Sequence, residues 1–204
     1  LWPYDAVIAC SESVAEHLRM MPSAAPKVMQ IPVPVQRPAL PSDPDAVARR
    51  HGLRPGADLL WPHGVLRRKG IAQALDAVAH LRARGDADLR LAVTGGSRDW
   101  DRDMDAALAN GTIAYLGPVP HDAMPALMRA AAGVLDIAAI EGMPRAMLEA
   151  IAVGARVLLP PGVPEFARHC PELVADTRHA QSLAAQMAVL RAGTLPAPCY
   201  PVDM

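Results

Sequence analysis

The sequence predicts an α/β fold in which helices cover both faces of a parallel β-sheet. Short apolar segments alternate with helix-like segments along most of the 204-residue chain, and this alternation is typical of parallel strands joined by right-handed helical crossovers. The strand-like segments are apolar throughout, as expected where both faces of a sheet are covered. A hydrophobic content of 51% and a charged content of 20% indicate a globular protein with a packed core.

Strands are predicted where short apolar segments end in turn residues. They lie at 5–10, 27–31, 58–64, 89–96, 112–117, 133–138 and 155–160. Helices are predicted between most of these strands and after the last one. They lie at 11–20, 44–52, 70–85, 97–111, 121–133, 144–154 and 180–193.

Two of the predicted helices carry starting signals in their sequence. The first has Ser11 or Ser13 as its N-cap, and Ser13 with Glu16 fits a capping box. The second begins at Asp43 and Pro44, since proline suits the first helical turn. The helix at 70–85 instead shows a clear amphipathic period. Its apolar face comprises Ile71, Leu75, Val78 and Leu81.

A proline-rich segment divides the chain. Prolines at positions 32, 34, 38, 41 and 44 exclude a helix or a central strand, because proline lacks the backbone donor that both require. We therefore interpret 32–44 as a linker or hinge between 1–31 and a larger domain at 45–193, with an irregular tail at 194–204. The chain opens on Leu1 beside a strand, and we expect it to be a fragment of a two-domain protein, with 1–31 the remnant of an amino-terminal domain.

Charge and cysteine content restrict the possible partners. The net charge of −1 offers no polybasic face for nucleic acid. The three cysteines are widely spaced and form no CxxC pair, so neither a zinc site nor a disulfide framework is expected. We expect no metal and no cofactor, and a cytoplasmic location.

The turn before the helix at 144–154 is suited to binding an anion. Gly142 permits a tight turn or close ligand approach, and Pro144 fits the first helical turn. Backbone N–H groups around Met143 to Met147 would then face a ligand at the positive end of the helix dipole.

Two glutamates flank this turn. Glu141 precedes Gly142, and Glu149 lies in a helix that is apolar on nearly every face. A buried carboxylate is unfavourable without a partner. Glu149 therefore either pairs with Arg145 at i, i+4 or binds a ligand.

A second turn, "HGVLRRKG" at 63–70, concentrates positive charge after a buried strand. Gly64 is followed by Arg67, Arg68 and Lys69. Arginine can bind a diphosphate through bidentate hydrogen bonds and lysine as a point charge. The alternative is a solvated loop with ordinary surface arginines.

In combination, these segments resemble the carboxyl-terminal, donor-binding half of family-4 glycosyltransferases, which have the GT-B fold with Rossmann-like domains. The resemblance covers most of the chain, in the family's order. Its segments are "YDAVIACSESVAEHLR", "KVMQIPVPV", "HGVLRRKGIAQALDAVAHL", "LRLAVTGG", "IAYLGPVPHDAMPALMRAA" and "EGMPRAMLEAIAVGARVLLPPGVPE". The last resembles the family's Glu-x7-Glu signature.

The resemblance implies a retaining transferase that moves a sugar from a UDP-, GDP- or ADP-linked donor to a glycan, lipid or small-molecule acceptor. Glu141 would be the catalytic-site glutamate at the donor sugar, and Glu149 would hold the ribose. Backbone near Gly117 and Val119 would meet the base. The implied donor and phosphate contacts are Lys69, Arg68, Arg67, Gly64, Gly142, Met143, Pro144, Met147 and Leu148. The acceptor site would belong to the missing amino-terminal domain, so the fragment alone is expected to be inactive, and some relatives act at the inner membrane face.

The chain departs from the family pattern at the phosphate turn. Gly64 stands where the family has an arginine, and His63 where it has a glycine. Arg67 or Arg68 could substitute. Two alternatives stay open, a degenerate GT-B module without catalysis and a GT-B nucleotide-sugar epimerase.

Two further acidic residues have no assigned ligand. Asp136 falls inside a predicted strand and needs a partner that the sequence does not identify. Glu165 is expected to organise its own loop.

Overall fold

The computed structural model describes residues 5–22, 27–198 and 200, and its β-strands are short. The strands are β1 (Val7–Ala9), β2 (Val28–Gln30), β3 (Leu59–Trp61), β4 (Leu91–Thr94), β5 (Ile113–Gly117), β6 (Gly133–Leu135) and β7 (Val157–Leu158). The α-helices are α1 (Glu12–Arg19), α2 (Pro44–Arg50), α3 (Ile71–Ala83), α4 (Arg102–Ala109), α5 (Met124–Ala130), α6 (Arg145–Ala152), α7 (Pro164–His169) and α8 (Ala180–Ala192). Single 3₁₀ turns lie at Arg67–Lys69 and Pro171–Leu173.

Five strands form one parallel sheet in the order β5-β4-β3-β6-β7. From β3 the chain moves outward through β4 and β5, and it then returns to the other side of β3 with β6 and β7. The direction of winding therefore reverses between β3 and β6. β1 and β2 form a separate two-stranded parallel sheet.

The core consists of two layers, one on each face of the larger sheet. Leu59 and Trp61 of β3 point into a layer formed with α3, α4 and α8, whereas Leu60 points into a layer formed with α2, α5, α6 and α7. All three side chains are fully buried. Apolar side chains on both faces of one strand are what a doubly covered parallel sheet requires, and the predicted fold class is confirmed.

Some predicted boundaries are wrong. The N-cap of α1 is Ser11, whose hydroxyl accepts from the Val14 amide at 3.3 Å; Ser13 lies inside the helix and forms no capping box. Asp43 caps α2 as expected. α4 begins at Arg102 rather than at 97, because Asp101 accepts the first free amides of the helix. Helix α7 was not predicted, because Pro160, Pro161 and Gly162, which precede it, are typical of a loop.

The proline-rich segment contains neither helix nor strand between 31 and 42. It is nevertheless attached to the larger unit, since Val33 and Val35 pack against the core layer that contains α6. The division of the chain into a remnant, a linker and a larger domain stays a prediction.

Candidate functional site

The reversal of winding between β3 and β6 places two loops side by side. In a doubly wound sheet, ligands bind in the crevice outside the carboxyl ends of the strands at this point. The loop after β3 carries His63 and Lys69, and the loop after β6 carries Asp136 and Glu141. These four side chains meet, and we refer to them as the switch-point cluster.

Lys69 is the centre of the switch-point cluster. Its side chain is only 8% exposed, and its Nζ lies 3.3 Å from Asp136 Oδ2 and donates to Glu141 Oε2. Lys69 ends the 3₁₀ turn, and Gly70 follows with a φ of +88°. That conformation favours glycine, and it turns the chain into α3 while Lys69 points inward.

Asp136 is the carboxylate for which the sequence offered no partner. It directly follows β6 and is fully buried, and the Ala138 amide donates to its Oδ1 at 3.0 Å. His63 Nε2 lies 3.1 Å from its Oδ2, a close contact without the alignment of a hydrogen bond. Burial raises the pKa of Asp136, but His63, Lys69 and the amide together outweigh burial and hold that pKa below its ordinary value.

The loops after β3 and β4 are joined by backbone hydrogen bonds. The Val65 amide donates to the Gly96 carbonyl at 2.8 Å, and the Asp99 amide donates to the Val65 carbonyl at 3.1 Å. Gly64 has a φ of +69°, and a Cβ there would lie 2.5 Å from the Gly96 oxygen. Gly64 therefore allows the two loops to approach closely, and its assignment as a phosphate contact stays a prediction.

The three consecutive basic residues point in different directions. Arg67 pairs with Asp101 at 2.6 Å, while its amide donates to Asp99 Oδ2 at 2.7 Å. Lys69 is buried in the cluster. Arg68 is exposed and lines a cleft of 280 Å³ together with His63, Leu66, Gly96 and Arg98. Sequence reasoning did not identify Arg98, because nothing in the local pattern distinguishes it from a surface arginine.

The start of α6 corrects part of the predicted anion site. Pro144 is the N-cap, and the helix begins at Arg145. The amides of Met147 and Leu148 both donate to the Pro144 carbonyl, at 3.0 and 3.3 Å. Those two amides are therefore not free for phosphate, and only the first helical amides, at Arg145 and Ala146, lack acceptors within the helix.

Gly142 and Met143 lie against the β1–α1 turn. A Cβ at Gly142 would meet Cys10 Sγ at 3.5 Å. Met143 lines a cavity of 160 Å³ together with Cys10 and Leu148. The structure thus places both residues where the smaller sheet meets the larger one, beside Glu141.

Glu149 forms the ion pair that the sequence left open. Arg145 Nε donates to its Oε1 at 2.9 Å, with Glu149 13% exposed and Arg145 65% exposed. Glu149 also lines a separate cleft of 410 Å³ with Arg37 and His121. It has no contact with the switch-point cluster among the described residues.

Gly117 and Val119 lie at the carboxyl end of β5, two strands from β3. Gly117 has a φ of +68°, and its carbonyl accepts from the Gly95 amide at 2.7 Å. Val119 is partly buried against the core layer that contains α6. Their contact with the base stays a prediction.

Glu165 does not merely organise its own loop. It is buried, and its carboxylate accepts from the Ser13 amide at 3.1 Å and from the Ser13 hydroxyl at 3.2 Å. Nearby, Arg168 pairs with Glu12 at 2.6 Å. These contacts attach the start of α1 to α7, and so connect the smaller sheet to the larger one.

The described ranges contain neither a metal-binding cluster nor a membrane-spanning helix. No group of three or more histidine, cysteine or acidic side chains is arranged to hold a metal ion. None of the helices described here has the length and apolar character needed to cross a membrane.

Comparison with solved structures supports the fold. The chain is similar to WaaG, a glycosyltransferase involved in lipopolysaccharide biosynthesis, with a TM-score of 0.75 and 17% identity over 97% of this chain and 58% of that one. It is similar to Anabaena HepE in complex with UDP and glucose, with a TM-score of 0.75 and 18% identity over 96% and 56% of the two chains. It is also similar to WaaB, a lipopolysaccharide outer core galactosyltransferase, with a TM-score of 0.64 and 15% identity over 94% and 54%.

The chain therefore spans a little over half the length of these structures. No curated protein matches it in sequence. Residues 59–192, well over half of the chain, match the family described as "Glycosyl transferases group 1". That segment contains β3 to β7 and the whole switch-point cluster, and it assigns the chain to the group 1 glycosyl transferases.

Proposed function

We propose that this chain is the donor-binding, carboxyl-terminal half of a retaining, family-4 glycosyltransferase. The observation that carries the proposal is the switch-point cluster: a buried lysine shared by two carboxylates, at the edge of the sheet where nucleotides bind in doubly wound folds. The UDP and glucose present in the similar HepE structure support a nucleotide-sugar donor.

Lys69 would neutralise the donor diphosphate. Transfer of the sugar leaves a nucleoside diphosphate that gains negative charge, and fixed cations and helix amides stabilise such charge without a metal. The Lys69 ammonium and the amides of Arg145 and Ala146 supply these groups. We therefore propose that neither a metal nor a cofactor is required, and activity should persist in a chelator.

Without donor, Glu141 is a counter-ion of Lys69. A bound diphosphate would replace Glu141 at Lys69 Nζ, which frees the carboxylate to accept hydrogen bonds from donor-sugar hydroxyls. The buried Asp136 remains paired with Lys69 when the donor binds. The buried ammonium thus has two anionic partners in each state, with Asp136 common to both, which limits the cost of rearrangement.

Glu149 would bind the ribose hydroxyls after exchanging Arg145, which is mostly exposed and can return to solvent. The ribose hydroxyls would replace the Arg145 hydrogen bond, so the mostly buried Glu149 carboxylate keeps a donor in both states. Gly117 and Val119 would lie near the base. The acceptor, a glycan, lipid or small molecule, would bind to an amino-terminal domain of the parent protein, which we propose to act in the cytoplasm or at the inner membrane face.

The first test is calorimetric titration of the chain with UDP, GDP and ADP, repeated on Lys69→Ala and Glu141→Gln. We expect one of the three nucleoside diphosphates to bind in preference to the others, and we expect Lys69→Ala to lose most of that binding. If Lys69→Ala binds the preferred nucleoside diphosphate with the same affinity as the wild-type chain, Lys69 is excluded from the site.

A degenerate module without catalysis is the second candidate, favoured by the use of Gly64 in loop packing at the position of the family arginine. Transfer by the full-length parent in the presence of the preferred sugar nucleotide would reject it, and absence of transfer with every donor would support it. A parent that interconverts free sugar nucleotides without an acceptor would instead be an epimerase.

A further inference from the structure

The cleft between the loops after β3 and β4 carries positive charge that none of the described acidic residues neutralises. Arg68 comes from the first loop and Arg98 from the second, and both side chains are exposed. Within residues 5–22, 27–198 and 200, neither guanidinium has an acidic partner. His63 also lines the cleft, and its ring is 8% exposed and contacts Asp136.

The acidic residues nearest in sequence are already occupied. Asp99 accepts from the Arg67 amide, and Asp101 accepts from the Arg67 guanidinium and from the first amides of α4. Arg67 thus binds both of the nearby carboxylates. Arg68 and Arg98 line the cleft without an acidic partner among the described residues. Two like charges in one cleft repel each other unless an anion lies between them.

The backbone of this cleft is fixed rather than loose. Hydrogen bonds from Val65 to Gly96 and from Asp99 to Val65 join the loops, and Trp61 Nε1 donates to the Gly64 carbonyl at 2.8 Å. The arginines therefore project from rigid backbone. Preorganised guanidinium groups bind phosphate oxygens through paired, charge-assisted hydrogen bonds.

We propose that Arg98 and Arg68 form a diphosphate-binding pair in this cleft, with Arg98 compensating for the glycine at position 64. The proposal rests on the proposed function, because it names the residues that bind the phosphates of the same donor. It assigns a ligand contact to the loop after β4 and none to Arg67, whose guanidinium points to Asp101.

The test is calorimetric titration of the chain with inorganic diphosphate, UDP and uridine at low salt. Arg98→Ala and Arg68→Ala are each expected to weaken diphosphate and UDP roughly tenfold, the scale of one hydrogen bond to a charged group. The matched control is Arg129→Ala, since Arg129 is an exposed arginine in the last turn of α5, at the opposite end of the sheet. Uridine should be unaffected by any of the three, and Arg98→Lys should recover part of the lost affinity.

The outcomes separate this inference from the proposed function. If Arg98→Ala loses diphosphate binding but the wild-type chain does not prefer UDP over inorganic diphosphate, the anion cleft is supported and the nucleotide donor is rejected. Binding of UDP and uridine with no effect of Arg98→Ala on UDP would keep the nucleotide donor and reject the role of Arg98. A wild-type chain that binds no diphosphate, or an equal loss in Arg129→Ala, would overturn the assignment.

Discussion

Lys69 should contribute both to folding stability and to diphosphate binding, and a single substitution can measure both contributions. In Lys69→Met the apolar stem is kept and the ammonium is lost. Asp136 is fully buried and would retain only the Ala138 amide and the His63 contact. Glu141 is 18% exposed and can turn to solvent, so Asp136 should account for most of the cost.

Removing one partner of a buried ion pair typically costs 3–5 kcal/mol. Because Asp136 keeps an amide donor, we expect a loss of about 2–4 kcal/mol in the free energy of unfolding at pH 7. The double variant Lys69→Met with Asp136→Leu removes both charges and should recover most of that loss, since apolar replacements of buried pairs are often neutral. Both variants should lose diphosphate binding.

The pH dependence follows from the direction of the Asp136 shift. In the wild type its pKa is lowered on folding, so it contributes stability above its unfolded pKa and loses it as pH falls through the folded value. In Lys69→Met, desolvation should raise the pKa of Asp136, and the folded state would then bind its proton more readily than the unfolded state. The difference between wild type and Lys69→Met should therefore be largest near pH 7 and shrink below about pH 5.

The assay is urea unfolding from pH 4 to 8, with Arg67→Ala as control. Arg67 is 71% exposed in its pair with Asp101, so its loss should cost at most about 1 kcal/mol. Unchanged stability of Lys69→Met at pH 7, or a cost that stays constant with pH, would refute the argument that Lys69 compensates a buried carboxylate.

Three further predictions concern the loops and the ribose site. Asp58→Asn should cost about 2–4 kcal/mol at pH 7, since Asp58 is fully buried against Arg90. Burial raises the pKa of Asp58, but hydrogen bonds from Arg90 and Arg54 outweigh burial and lower that pKa. The cost should therefore begin to decline below about pH 4, as pH falls towards the lowered pKa, and a pH-independent cost in urea unfolding would contradict this. Gly64→Ala should destabilise the protein more than Gly56→Ala. Both glycines have a positive φ, which costs an alanine about 1–2 kcal/mol, but only at Gly64 would the new Cβ lie 2.5 Å from a backbone oxygen. Equal urea midpoints for the two variants would count against the close approach. Glu149→Gln should weaken UDP or GDP more than inorganic diphosphate by calorimetry, and equal weakening would remove Glu149 from the ribose.

The comparison of sequence and structure shows which information is local. The alternation of strands with helices, together with apolar strands such as Leu59–Trp61, was enough to predict a doubly covered parallel sheet. The start of α2, with Asp43 as its N-cap and Pro44 as its first residue, was likewise predictable, because a cap involves residues only a few positions apart. Lys69, Glu141 and Glu149 were predicted as site residues, partly because charged groups next to buried strands need a reason and partly through family resemblance.

The remaining features depend on which strands become neighbours, and no local pattern encodes that order. β3 pairs with β6, which places Asp136 beside Lys69 across 67 positions of the chain. Because β4 pairs with β3, Arg98 and Arg68 line the same cleft, and Arg67 pairs with Asp101. The sequence by itself determined that a parallel sheet forms and that charged turns follow its strands. Only the tertiary structure decided which charges meet, because electrostatic pairing falls off within a few ångströms and depends on positions that folding alone brings together.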